Sequence, residues 1–176
     1  MKKLLFLLTV ALFLHIDSAY SRELPKPAEL LFKDVPEQKI LYVIHKGNEH
    51  IASSFAKLVA YYNKDSTPFV ISFPQMTIQV SDNQTWVAVA YTGDAYETND
   101  VKLGKLPGAL VASKIYQGSY DRISETIRET FREILATKRY VPKDGTPLRL
   151  LFWNSPDDNQ PQDLITEIQI PVIKLR

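Results

Sequence analysis

The sequence contains the same order of segments twice, and this repetition constrains the fold more than any other feature. Residues 39–47, a strand-like run that ends in a glycine, are echoed by residues 110–118. Each glycine is followed by a segment with helical spacing, then by a strand that opens with Thr-Pro, and then by a further strand. A unit of this size cannot bury its apolar face alone, so the two units must pack together. We predict one α+β domain of duplicated β-α-β-β units, at about 28–92 and 106–176.

Two such units predict a twisted antiparallel sheet with two helices on one face and a cleft at the pseudo-twofold seam. The apolar residues of each helix recur at the spacing of one helix face. They are Ile51, Phe55, Leu58, Val59 and Tyr62 in the first helix, and Ile123, Ile127, Phe131, Ile134 and Leu135 in the second. Segment 92–107 is expected to be a loop-like crossover, because two glycines and a proline interrupt it.

The N-terminus has the features of a cleaved secretory signal peptide. Lys2 and Lys3 form a basic start, residues 4–14 are almost uninterruptedly apolar, and residues 19–21 supply small side chains for a signal peptidase. A membrane-spanning helix needs roughly 20 apolar residues, so no stable membrane anchor is expected after cleavage. A retained N-terminal anchor is the alternative.

These features divide the chain into a signal peptide (1–21), a proline-containing tether (22–27) and one domain (28–176), and they predict a periplasmic or secreted protein. The chain contains no cysteine, which excludes a lipid-anchored lipoprotein and a disulfide scaffold. Asn83 begins a glycosylation sequon, which matters only in a eukaryotic host.

Charge argues against nucleic acid as a partner. The whole chain has a formal net charge of +1, and removal of the signal peptide takes away Lys2, Lys3 and Asp17, which leaves the remainder formally neutral. Nucleic-acid binding draws its affinity from an excess of Lys and Arg. The sequence also shows no DNA-binding helix-turn-helix, so a transcription factor is not expected.

Common catalytic and metal-binding patterns are missing from the sequence. There is no Gly-x-Ser-x-Gly elbow, no phosphate-binding glycine loop and no cysteine nucleophile. His45 and His50 are the two histidines beyond the signal peptide, and their spacing matches no metal-site pattern. We therefore predict no metal and no cofactor.

Glu167 is the most informative polar residue, because it interrupts a segment of strong strand propensity. Strand alternation puts Glu167 and Gln169 on one face of the sheet and Ile168 on the other. We expect Ile168 to face the helices. Trp86 is its counterpart in the first unit, so an acidic group beside an aromatic wall predicts a ligand cleft. If the cleft is partly dry, the pKa of Glu167 should rise. A solvent-facing strand glutamate is the alternative interpretation.

Three further aromatic residues are candidates for the same cleft. Phe152 and Trp153 end the preceding strand and should point to opposite faces, so at least one of them is expected to be core. Tyr116 lies late in its strand and is a candidate to contribute a hydroxyl. Aromatic residues serve packing more often than recognition, and the polar group of Tyr or Trp weakens that preference.

Five segments of the second half carry a family resemblance. They are Leu106-Pro-Gly108, Val111-Ala-Ser113, Gly118-Ser-Tyr120, Asn154-Ser-Pro156 and residues 164–172. Together they resemble the GyrI-like effector-binding domain, the ligand module of many multidrug-responsive regulators. The resemblance covers 106–174 and extends, through the internal repeat, to 32–91.

The resemblance implies a duplicated βαββ fold with an aromatic-lined cleft, in which a buried glutamate meets lipophilic cations in many members. Glu167 matches the position of that glutamate. Some stand-alone members hydrolyse cyclopropane-bearing compounds. The SOUL haem-binding proteins share the fold, but no axial ligand stands out here. This chain has Tyr116 where members often have histidine, and Phe152 where tyrosine is common, which weakens a hydrolytic role that needs the hydroxyl.

Three functions follow from these observations. The first is an extracytoplasmic binding protein for a small apolar or lipophilic cationic molecule, in which Glu167 provides charge while Trp86, Tyr116, Phe152 and Trp153 provide apolar contact. The second is a small-molecule hydrolase in which Glu167 is the base or nucleophile and Tyr116 an acid. The third is an envelope module that docks a protein on its uncovered sheet face.

Overall fold

The computed structural model describes residues 24–47, 50–64, 68–81 and 83–176. Their strands are β1 (Ala28–Val35), β2 (Gln38–His45), β3 (Phe69–Ser81), β4 (Gln84–Gly93), β5 (Lys102–Leu106), β6 (Ala109–Gln117), β7 (Tyr140–Pro142), β8 (Leu148–Phe152) and β9 (Ile165–Lys174). Their α-helices are α1 (Ile51–Tyr62) and α2 (Ile123–Ala136). The predicted signal peptide lies outside the described residues, and the described part of the tether, 24–27, has no regular secondary structure.

The strands form one antiparallel sheet in the order β1-β6-β9-β8-β3-β4-β2-β5, and β7 pairs with β9. The predicted α+β class is confirmed. The first half runs β2-α1-β3-β4 and the second runs β6-α2-β8-β9, with β7 added after α2. The two halves join where β3 pairs with β8. The internal repeat of the sequence stays a prediction.

Strands β1 and β5 correct the expected crossover. Segment 92–107 was predicted to be loop-like, but Lys102–Leu106 forms β5 and pairs with β2, the first strand of the first half. In return, β1 pairs with β6 of the second half. Both strands contain residues that are uncommon in sheets, namely Glu, Lys and Asp in β1 and Lys and Gly in β5, so their strand signal is weak. Each half therefore carries as its edge strand the segment that directly precedes the other half in sequence.

Short connections require the sheet to curl. Only Pro36 and Glu37 link β1 to β2, and only Pro107 and Gly108 link β5 to β6. The three Cα–Cα steps from Val35 to Gln38 span at most about 11 Å, whereas β1 and β2 are six strand spacings apart along the sheet, or about 29 Å. The ends of the sheet must therefore meet. A Cβ added to Gly108 would lie 3.1 Å from the amide nitrogen of Glu37, so the two connections are in close contact.

The outer face of the curled sheet carries both helices. Helix α1 packs on β2 and β4, where Leu41, Val87 and Val89 are buried. Helix α2 covers the second half, where Ile134 joins a cluster with Ile168. The placement of both helices on one face is confirmed. Within the described residues, neither helix is long and apolar enough to cross a lipid bilayer.

Candidate functional site

The inner face of the sheet, which we call the concave face, holds Glu167 near its centre. Glu167 is 2% exposed. Its Oε1 accepts hydrogen bonds from Ser113 Oγ at 2.8 Å and from Gln169 Nε2 at 2.7 Å. Lys33 Nζ lies 2.7 Å from the same oxygen. The alternative of a solvent-facing glutamate is therefore wrong, and the expected orientation of Glu167 away from Ile168 and the helices is confirmed.

The electrostatics of Glu167 differ from the expectation. Burial alone would raise its pKa, as predicted, but hydrogen bonds from Lys33, Gln169 and Ser113, together with the charge of Lys33, lower the pKa below its ordinary value. The carboxylate is thus held ionised inside the fold. A strongly held carboxylate is a good partner for a cation and a weak base.

Lys33 is the main residue of the site that sequence reasoning missed. It lies on β1 opposite Val111 of β6, and β6 also carries Ser113. Its side chain is 46% exposed, whereas the carboxylate that it contacts is buried. The lysine therefore extends from the rim of the sheet and covers Glu167. A pattern search in the strands around Glu167 could not find it, because β1 was not predicted as a strand.

Arg149 is the second buried charge of the concave face. It lies on β8 opposite Gln169 and is 1% exposed. Its Nη2 donates a hydrogen bond of 2.9 Å to the carbonyl oxygen of Pro107. Its Nε and Nη1 have no hydrogen-bond partner among the described residues. Burial lowers the pKa of Arg149, as expected for a charge with little solvation.

The half of the concave face that belongs to β2, β3 and β4 is apolar. Trp86 stacks on Tyr42, with ring centroids 4.1 Å apart and an interplanar angle of 20°. Both rings pack on a cluster of buried residues: Ile40, Met76, Ile78, Ala88, Ala90 and Leu106. Leu151 of β8 joins this cluster and lies directly opposite Glu167 on β9. An apolar wall therefore adjoins the charged group.

Two of the predicted site residues lie on the wrong face for contact with Glu167. Tyr116 and Phe152 both pair with Thr166, the residue next to Glu167, and so project to the helix side. The Tyr116 hydroxyl donates to the carbonyl of Ser119. Alternation along β9 explains the difference, since neighbouring residues point to opposite faces. The hydrolase alternative thereby loses its proposed acid.

Phe152 serves as a contact between the helix-bearing segments. Its ring meets Phe55 of α1 edge-on at 5.8 Å and Tyr120, just before α2, at 5.4 Å. Trp153 follows the end of β8, and its amide donates to the carbonyl of Ile165. The indole is half-buried, and its Nε1 has no hydrogen-bond partner in the described part of the chain.

Glu167 lines neither of two surface cavities that the described residues form. One, of about 860 Å³, lies on the outside between β1, β6 and the end of α2. The other, of about 350 Å³, is lined by Glu37, Ser72 and Ala90 among others. Lys33 contacts the carboxylate of Glu167, and the ligand cleft expected there stays a prediction. No group of three or more histidine or acidic residues is placed to hold a metal ion in the described residues.

Comparison with solved structures shows where this fold occurs. The C-terminal domain of EcmrR superposes with a TM-score of 0.70 at 16% identity, over 84% of this chain and 98% of that one. A hydrolase from Listeria innocua gives 0.64 at 16% identity, over 90% and 97%. SAV2435 bound to tetraphenylphosphonium gives 0.54 at 16% identity, over 83% and 94%. At these identities the likeness establishes the fold.

A sequence-family match is more specific than the structural likeness. The model of the GyrI-like small molecule binding domain matches residues 79–173, which is more than half of the chain. The matched region runs from β3 to β9, and it includes Arg149, Glu167 and Gln169 of the concave face. The chain therefore belongs to the GyrI-like small molecule binding domain family.

Proposed function

We propose that this protein binds a small molecule outside the cytoplasm, and that a cationic group of the ligand takes the place of Lys33 at Glu167. The observation that carries the proposal is the contact of Lys33 Nζ with Glu167 Oε1 at 2.7 Å. An ammonium group already occupies the position that a ligand cation would need. Membership of a small-molecule-binding family supports the ligand-binding role.

The other contacts of Glu167 allow Lys33 alone to be replaced by a ligand cation. Ser113 and Gln169 are buried neutral donors, and they stay with the carboxylate whichever cation is present. Lys33 is half-exposed and reaches the site by a flexible side chain, so its ammonium can return to water when displaced. The cost of displacement is then the loss of one ion pair, which a ligand cation restores.

The apolar half of the concave face supplies the other part of the proposed site. The stacked Tyr42–Trp86 pair and Met76 offer an apolar and aromatic surface. Such a surface favours lipophilic cations over small hydrated ones, because aromatic faces attract cations and apolar bodies lose water on contact. Tetraphenylphosphonium, which is bound by the structurally similar SAV2435, is a fitting probe.

Titration calorimetry with tetraphenylphosphonium tests the proposal. Binding should be lost in Glu167→Gln and strengthened in Lys33→Met, which removes the internal competitor. Lys105→Met is the matched control, because Lys105 pairs with the exposed Glu37 and should leave affinity unchanged. Equal affinity in the wild type and Glu167→Gln would refute the assignment. A ligand consumed during the titration would instead favour the hydrolase, and no binding of any cation would favour a protein-docking module.

The proposed location rests on the sequence of residues 1–21 and has its own test. Intact-mass measurement of the protein isolated from its host should give a chain that begins near Arg22 and is found outside the cytoplasm. A full-length chain in the cytoplasm would contradict the location and leave the binding experiment untouched.

A further inference from the structure

The charges of the concave face do not balance. Lys33 and Arg149 bring two positive groups, and Glu167 is the only carboxylate that contacts either of them among the described residues. Glu167 is already held by Lys33, Ser113 and Gln169. Arg149 donates a single hydrogen bond among the described residues, to the carbonyl oxygen of Pro107.

A buried guanidinium in this state is costly. Arginine has five N–H donors in a planar fork, and here two of its three nitrogen atoms lack a partner in the described residues. Removing a charge from water destabilises a fold unless an anion or several acceptors compensate. An unpartnered buried guanidinium points to an acceptor that binds from outside the chain, since apolar side chains in place of buried charges are often neutral or stabilising.

Register places this guanidinium beside the proposed site. Arg149 of β8 lies opposite Gln169 of β9, and Glu167 is two residues from Gln169 on β9. Arg149 and Glu167 are therefore diagonal neighbours on the same face of the sheet. Diagonal neighbours lie about 7–8 Å apart, and their Cβ atoms are somewhat closer. The guanidinium donates its one hydrogen bond within the described residues to Pro107, in the exposed Pro107-Gly108 turn. Both charges are therefore within the span of one small ligand.

We propose that Arg149 forms an anion-binding subsite and that the ligand is zwitterionic, with its anionic group at Arg149 and its cationic group at Glu167. This inference rests on the proposed function and adds the second half of the ligand. The free Nε and Nη1 donors match an acceptor such as a carboxylate or phosphate oxygen, because guanidinium binds planar anions through paired hydrogen bonds.

The test compares three probes by titration calorimetry on the full chain: benzylamine, benzoate and 4-(aminomethyl)benzoate. The last carries a cation and an anion at opposite ends of one ring. It should bind about tenfold or more tightly than benzylamine, since hydrogen bonds to a charged group typically contribute that much. Arg149→Met should abolish this gain and leave benzylamine binding unchanged. The exposed Arg139→Met is the control and should keep the gain.

The outcomes separate the two proposals. Equal affinity for benzylamine and 4-(aminomethyl)benzoate in the wild type overturns the anion subsite and leaves the cation site intact. A gain that survives Arg149→Met also overturns it. Failure of all three probes to bind overturns both proposals. If Arg149→Met does not fold, Arg149→Lys replaces it: a reduced gain supports the subsite, because lysine keeps the charge but loses the fork, and an undiminished gain overturns it.

Discussion

Lys33 and Glu167 come from opposite ends of the described chain, yet Nζ and Oε1 lie 2.7 Å apart. The contact exists because β1 leaves the first half and pairs with β6 of the second, which brings Lys33 to the rim above Glu167. The pair places an ammonium group directly on the buried carboxylate of the concave face. It also joins the edge strand to the centre of the sheet by a charge contact as well as by backbone hydrogen bonds.

Removing the two charges singly and together should reveal their coupling. In a double-mutant cycle with Lys33→Met and Glu167→Gln, the coupling free energy should be about 1 kcal/mol or more, since one partner is fully buried. The exposed pair of Lys105 and Glu37, 3.5 Å apart, is the control. Its coupling should stay below about 0.5 kcal/mol because solvent screens it. Urea unfolding measures both, and equal couplings would contradict the importance of the buried pair.

Acidification should remove the stabilisation that Glu167 provides. Burial raises its pKa, but the hydrogen bonds from Lys33, Gln169 and Ser113 prevail, so the folded-state pKa lies below 4.5. A carboxyl of this kind stabilises the fold above its unfolded-state pKa, and the contribution disappears as pH falls through the folded-state value. The difference in free energy of unfolding between the wild type and Glu167→Gln should be constant above about pH 6 and shrink below 4.5. A difference that grows on acidification would mean that the pKa is raised.

Phe152 should matter for stability and not for ligand binding. Its ring contacts Phe55 and Tyr120 on the helix side of the sheet. Phe152→Ala should lower the free energy of unfolding by about 2 kcal/mol, through loss of apolar burial and edge-on ring contacts. Affinity for tetraphenylphosphonium should stay within about twofold, a difference below 0.5 kcal/mol. Loss of affinity in a variant that remains folded would show that Phe152 contributes to ligand binding.

Arg149 should be replaceable without loss of stability. The side chain is 1% exposed and carries two unpartnered nitrogen atoms within the described residues. Arg149→Met removes a buried charge and keeps an unbranched apolar chain, so the free energy of unfolding should stay equal or rise by about 1–2 kcal/mol. Thermal melting of the ligand-free protein checks this. A drop of several degrees would show that the bond to Pro107 outweighs the cost of the charge.

The elements with strong periodicity could be predicted from the sequence. Both helices and the strand that carries Glu167 were recognised from spacing and propensity, and alternation gave the orientation of Glu167 correctly. These features depend on local pattern, which the sequence displays directly. The pKa of Glu167 could not be predicted, since its direction depends on Lys33, a residue far away in the chain.

The prediction of the site was limited because the sequence does not give the register in which β6 and β8 pair with β9. Tyr116 and Phe152 each pair with Thr166, so their face is opposite to that of Glu167. A shift of one residue in either pairing would reverse this result, and the sequence alone does not give the pairing. The strands β1 and β5 were missed for a related reason. They are stabilised by distant partners, and their own residues favour a strand only weakly.

The exchange of β1 and β5 between the halves also bears on how the chain folds. The first half lacks its edge strand until β5 is made, and β1 has no partner until β6 is available. Strand β9, which lies between β6 and β8, comes last. Contacts between such distant segments form slowly, so the sheet cannot be completed before β9 has been synthesised. Until that point, the edges of β6 and β8 that β9 pairs with stay open to other strands.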